Sequence, residues 1–388
     1  MQSISSKIAK IMLTFGIFFV HLSTSNHIHI KMENTFAIRL LSARKMAGLS
    51  LQKLADALGN VVTKQSLNKY EQGVMKPDST LLVKLSSVLN VPVDYFYAEP
   101  TVPVELTNLD YRKHSSRISV IQKAAIEEKS KTLLERYLEL ENLLNLDEKP
   151  SYFDYNEEII TPDDAEEAAR KLREEWELGY DPIPDVVAML EDKGYKVMEI
   201  DAPEKFDGLS AEVDALKVII LNGNLFKGNN CRKRFTALHE LAHHSLKFSE
   251  SMENKDQEKM CHVFASAVLY PSEMAEKELH YERFHFYENE LILIKERWGI
   301  SISAIFQTAL RLGIINDYVF RNLSINYRSR GYHKDDNEPG KYLSQEKPVR
   351  FLRLVYFALG KGVISVNEAA YYSGDSVWEF RKSMKQLA

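Results

Sequence analysis

Residues 232–248 read RKRFTALHELAHHSLKF, and His239-Glu240-Leu241-Ala242-His243 at their centre decides how the chain is read. Phe235, Leu238, Ala242 and Leu246 recur at helical spacing, so the stretch predicts an amphipathic helix that Asn229 or Asn230 can cap. Residues four apart share a helix face, which lets both imidazoles reach one metal ion. Glu240 directly follows the first histidine and falls near the water such an ion activates, placed to take its proton. The implied chemistry is metal-assisted hydrolysis. His244 points about a hundred degrees away from His243 and reads as a packing or hydrogen-bonding residue.

A hydrolytic zinc site usually takes three protein ligands and leaves one position open. Downstream, Asp256, Glu258, His262, His280 and His285 are available; the first three lie on or near the next expected helix, where Glu258 and His262 share a face. Imidazole and carboxylate donors suit zinc, although manganese and iron occupy related sites. Cys261 reads as a small apolar packing residue of that helix.

The 388 residues suffice for two or three domains, and 45% hydrophobic content predicts ordinary globular cores. The two cysteines, Cys231 and Cys261, lack C-x-x-C spacing, which argues against a disulfide framework or a thiolate zinc site and fits a reducing, cytoplasmic setting. Net charge is −5, yet residues 32–97 carry eight Lys+Arg against five Asp+Glu; that segment is +3 and the remainder −8. At the start, KIAKIMLTFGIFFVHL has a basic beginning and an apolar run. It is short for a bilayer span, so residues 1–31 read as an extension ahead of a start at Met32, with a membrane anchor as the minority reading.

Residues 34–97 break into five short helices, with Ser50 and Thr63 as caps of the second and third and Gly48, Gly59 and Gly73 at helix ends. The spacing of helices two and three is that of a helix-turn-helix. RLLSARKMAGLSLQKLADALG and VTKQSLNKYEQGVMKPDSTLLVKLSSVLNV resemble the XRE/Cro/C1 repressor family. The resemblance implies that Lys64, Gln65, Ser66, Asn68 and Lys69 face double-stranded operator DNA, with Gln65 able to pair with adenine and the lysines meeting phosphates. Many relatives carry glutamine after the Ser50 equivalent, where it meets a phosphate; this chain has Leu51.

Residues 104–150 hold an amphipathic helical linker whose apolar stripe can pack on its own domains or pair two subunits. From 157 to 320, two helices precede the strands KVMEI, LSAEV and LKVIILN, the last two joined tightly at Asp214-Ala215; the metal helix and further helices follow. Residues 330–388 predict a helical regulatory or docking region. The fold class expected is α+β, mostly helical.

RFTALHELAHHSL followed by EKMCHVFASAVLYP is similar to the ImmA/IrrE metallopeptidase family, as are DPIPDVVAMLEDKGYKV and DGLSAEV. The resemblance implies a zincin-like domain holding one zinc ion per chain on His239, His243 and Glu258, with Glu240 as general base. His262, where relatives often have Asn or Asp, is left as a supporting partner or an alternative ligand. The activity implied is cleavage of a transcriptional repressor or similar regulatory protein, by a possible homodimer without stable membrane association. The competing expectation is a transcriptional regulator or antitoxin-like protein whose metal site is structural or vestigial.

Overall fold

The computed structural model describes residues 35–98, 102, 104–109, 118–146, 149–226, 228–334 and 337–384. The expected extension, 1–31, lies outside them. Two compact units are present: Val120–Lys129 join the N-terminal unit, while Val104–Ser119 and Ser130–Ala388 belong to the second.

The first unit contains α1 (residues 35–46), α2 (Leu51–Ala57), α3 (Lys64–Glu71) and α4 (Ser79–Leu89). Ser50 and Thr63 accept the backbone N–H of Lys53 and Ser66, as expected of N-caps. The fifth expected helix is instead a 3-10 turn, Val93–Tyr97. Pro92 starts it, the Tyr95 N–H donates to Pro92 O at 3.0 Å, and buried Tyr95 and Phe96 hold the short run on the core. Leu40, Leu54, Leu67, Leu85 and Phe96 form the core. The first ten residues of the 24-residue α5 (Val120–Leu143) complete this unit, and Ser42 Oγ donates to Glu128 at 2.6 Å.

In the second unit, α6 (Pro162–Glu175) opens with a capping box of Thr161 and Asp164. After α7 (Val186–Asp192) the chain turns at Gly194, whose φ of +93° and 2.7 Å clearance to Pro150 Cβ exclude a side chain. Strands β2 (Lys196–Ile200), β3 (Gly208–Val213) and β4 (Leu216–Asn222) form a sheet in the order β2-β4-β3; β1 (Glu158–Ile159) pairs separately with β5 (Lys247–Phe248). The continuous apolar run Val218–Leu221 is the central strand, parallel to β2 and antiparallel to β3, and buried on both faces. Asp214, at φ 52°, turns the β3–β4 hairpin.

Helix α8 (Asn230–Ser245) packs on β3 and β4, and α9 (Asn254–Leu269) packs on α8 and α6. Leu238, Leu241, Phe264, Val268 and Trp298 fill the space beneath. Helices α10 (Ser272–Leu279), α11 (Glu288–Trp298), α12 (Ile302–Arg311) and α13 (Asp317–Ser329) complete the layer. Among the described residues, no helix is long and apolar enough to cross a membrane.

Residues 338–349 form a strap without helix or strand that leads to α14 (Arg350–Gly360), α15 (Val366–Ser373) and α16 (Val377–Ser383). These three helices share a small core with Leu140 of α5. Buried carboxylates anchor the strap. Glu346 accepts the backbone N–H of Val186 at 2.9 Å and of Val187 at 3.1 Å, and its other oxygen lies 3.2 Å from Arg234 of α8. Glu191 of α7 accepts the N–H of Val349 and of Arg350, both at 3.1 Å.

Burial pushes Glu191 up to about 7, against the two N–H groups that favour its charge. An unfolded glutamate titrates near 4.5. Between these values the native chain keeps a proton that the unfolded chain has lost, so stability falls as pH rises through the window, by about 3 kcal/mol. Urea unfolding at pH 5 and pH 8 should show this fall in the wild type and a smaller one in Glu191→Gln. Equal falls in both proteins would refute the assignment.

Candidate metal centre and nucleic-acid interface

Asn229 caps α8 by accepting the Arg232 N–H, which fixes where the helix starts and therefore which way each later side chain turns. Thr236, Glu240 and His244 form the face under β3: a Cβ on Gly208 would meet Thr236 Cγ2 at 3.0 Å and Glu240 Cγ at 3.3 Å. His239 and His243 form the face toward α9. Their Nε2 atoms lie 3.3 Å apart, with Glu258 Oε2 3.2 Å from His239 and Glu258 Oε1 3.4 Å from His243.

The two imidazole nitrogens stand 3.3 Å apart, and each has one of the two Glu258 oxygens at 3.2 or 3.4 Å. Ligands about 2.0–2.1 Å from a central zinc stand roughly 3.3 Å apart, so the residues fit that ion. Burial by itself raises Glu258, yet the two imidazoles outweigh it and hold this carboxyl well below the usual range. Burial likewise opposes a charge on His243, but Cys261 and Glu258 overcome it and push the imidazole up to about 11. The imidazoles and the carboxylate thus favour one another's charged forms.

The remaining expectations fall around this triad. His262, one turn beyond Glu258, presents a nitrogen within 4.8 Å of donor atoms of His239 and Glu258, so these three residues also form a group able to hold an ion. Its ring stands 4.8 Å from that of His239 and lines a cavity of about 860 Å³ with Phe235, Val263, Gln307 and Thr308. Cys261 is buried as expected but also lies with Sγ 3.8 Å from His243 Nδ1, leaving Nε2 to face the triad. This contact was not readable in the sequence. His244 turns away, with Nε2 3.0 Å from Val218 O, and burial lowers it to about 4.

In the first unit, Lys64, Gln65, Asn68 and Lys69 form an exposed face of α3, while Leu67 and Tyr70 bury the opposite one. Ser66 is half-buried and its hydroxyl lies 3.0 Å from Thr63 Oγ1, so it serves the cap as well as the face. A bidentate pair between Arg44 and Glu71, at 2.6 and 2.8 Å, pins the far end of α3 to α1. Leu51 packs against the core rather than offering a polar group.

Comparison with known proteins assigns both regions. Residues 40–96 match the family described as Helix-turn-helix, and residues 190–309 match the peptidase family described as IrrE N-terminal-like domain. An uncharacterized HTH-type transcriptional regulator of Sinorhizobium medicae is 38% identical over 61 residues, 16% of this chain and 42% of that protein. The SPbeta prophage-derived uncharacterized HTH-type transcriptional regulator YonR of Bacillus subtilis is 43% identical over 60 residues, 16% of this chain and 54% of that protein. YqaE of the same organism, also named an uncharacterized HTH-type transcriptional regulator, is 37% identical over 60 residues, covering 16% and 50%. The chain spans about half the length of the curated relatives it matches. The chain therefore carries an XRE-type helix-turn-helix domain followed by an IrrE/ImmA-like domain of the peptidase family.

Proposed function

We propose that this protein is a DNA-binding, zinc-dependent endopeptidase that cleaves a transcriptional repressor or similar regulatory protein in the cytoplasm, controlling stress, phage or mobile-element genes. The observation that carries this reading is the convergence of His239, His243 and Glu258 at 3.2–3.4 Å beside Glu240. When bound there, one zinc ion per chain would supply Lewis-acid chemistry, acidifying a water and polarising the scissile carbonyl. Glu240, buried at the foot of β3, takes the proton of the attacking water at its carboxylate and passes it to the leaving amine. The cavity lined by His262 is large enough for a substrate side chain. The exposed face of α3 would bring the enzyme to an operator, and a homodimer would suit a two-fold site.

A second reading, a transcriptional regulator with a structural or vestigial metal site, draws support from the curated relatives, which are named regulators. The presence of a carboxylate base beside a three-ligand site favours the first, because a structural site is usually closed by four protein ligands. Elemental analysis of the purified protein should find about one zinc per chain, lost in both His239→Ala and Glu258→Ala. Zinc retained in Glu258→Ala would transfer the third ligand to His262, and a wild type that takes up no zinc on reconstitution would favour the regulator.

A further inference from the structure

The sheet over the metal helix has one edge partly taken by the chain itself. In the order β2-β4-β3, strand β3 has β4 on one side only. On its other side Thr107 meets Glu212 in an antiparallel bridge: the Thr107 N–H donates to Glu212 O at 2.8 Å and the Glu212 N–H to Thr107 O at 3.0 Å. Thr107 Oγ1 donates to the same carbonyl at 3.1 Å, and Asn108 Nδ2 donates to Glu212 Oε2 at 2.6 Å. Val104 is buried in the same stretch.

The direction of the backbone groups gives this bridge its meaning. Asp207 O accepts from Asn222 N, toward β4, so the alternation of a strand turns the main-chain groups of Gly208, Ser210 and Glu212 outward. The Glu212 bridge agrees with that alternation. Gly208 is the residue against Glu240, and Glu212 lies four residues, about 13 Å, along the strand from it. A polypeptide added to this edge gains its affinity from outward main-chain groups. Thr107 already holds one of the three sets. Ser210, the next outward residue toward Gly208, is itself buried.

We propose that residues 104–109 are an internal occupant of the β3 edge, holding in cis the surface on which an extended polypeptide must add to lie across Glu240 and the metal triad. The inference rests on the peptidase reading. Substrate then binds only by displacing the chain's own segment, and the resting enzyme is restrained by its own interdomain sequence.

The test uses full-length protein in a Glu240→Gln background and a fluorescein-labelled hexapeptide of sequence VELTNL, the segment itself. Thr107→Pro removes the N–H donor, while Asn108→Asp places a like charge against Glu212. Both variants should bind the peptide more tightly than the background protein, Thr107→Pro by tenfold or more in fluorescence anisotropy, and the Glu212 amide should exchange its hydrogen correspondingly faster. Unchanged peptide affinity in either variant whose Glu212 amide exchanges faster would overturn the proposal, as would an unchanged Glu212 amide in both. The peptide readout needs neither zinc nor turnover. A zinc-loaded Thr107→Pro protein with Glu240 intact that fails to hydrolyse labelled casein, with peptide binding as expected, would therefore sink the peptidase reading and leave the occupied edge standing.

Discussion

Glu240→Gln should lower the rate of peptide hydrolysis by about 10²–10⁴-fold while zinc remains bound at about one ion per chain. Glutamine keeps the shape of glutamate, so the packing beneath Gly208 is preserved, where the space beside Glu240 Cγ is already tight at 3.3 Å. What is lost is the capacity to accept a proton. His239 and His243 stay on their own face of α8, and Glu258 on α9, so the donor triangle is untouched. Casein or repressor cleavage measured beside elemental analysis separates the two effects. Equal rates in wild type and variant, both with zinc, would remove Glu240 from the reaction, and no cleavage by either would return the protein to the class of regulators.

The second large effect is on stability. Arg234 and Glu346 are both fully buried and face each other at 3.2 Å, and Arg234 also donates to Ile183 O at 2.6 Å and stacks on Tyr342. Removing one member of a buried pair strands the other charge, at a cost of roughly 3–5 kcal/mol. Arg234→Met should therefore shift the urea midpoint sharply downward. Burial pushes Glu346 up to about 7, so a stranded Glu346 can escape the penalty by protonation, and the loss should be larger at pH 8 than at pH 6. The double variant Arg234→Met with Glu346→Gln keeps an acceptor for the Val186 and Val187 N–H groups without a charge, and should recover at least half the loss. A double variant as unstable as the single one would mean that Arg234 acts through its carbonyl and aromatic contacts instead.

The sequence was most readable where the chemistry is local. His239 and His243 are one turn apart, and periodicity alone puts them on one face; Ser50, Thr63 and Asn229 announce their helices by the same local logic. Glu258 sits on a different helix, and helical spacing could not choose among Asp256, Glu258 and His262 without the family resemblance. The strands were visible, but the placement of β4 between β2 and β3 was not, because a parallel partner across a connection leaves no local mark. Residues 338–349 fall in a stretch expected to be helical, and the burial of Glu346 was hidden because its partners, Arg234 and the start of α7, are more than a hundred residues away. The bridge at Thr107 was equally hidden, being a single pair set by a distant edge.

The two working faces of α8 have a consequence for how this site can change. Thr236, Glu240 and His244 face the sheet while His239 and His243 face α9, an arrangement set by a rotation of about 100° per residue. Inserting or deleting one residue between Asn229 and Thr236 would turn the whole set against its surroundings, presenting the base to α9 or an imidazole to the sheet. The helix is in this sense a key cut on two sides. Substitutions can retune it one notch at a time, but any change of length misaligns both sides at once, so variation in length has to be taken up in the loops that precede Asn229 and follow Leu246.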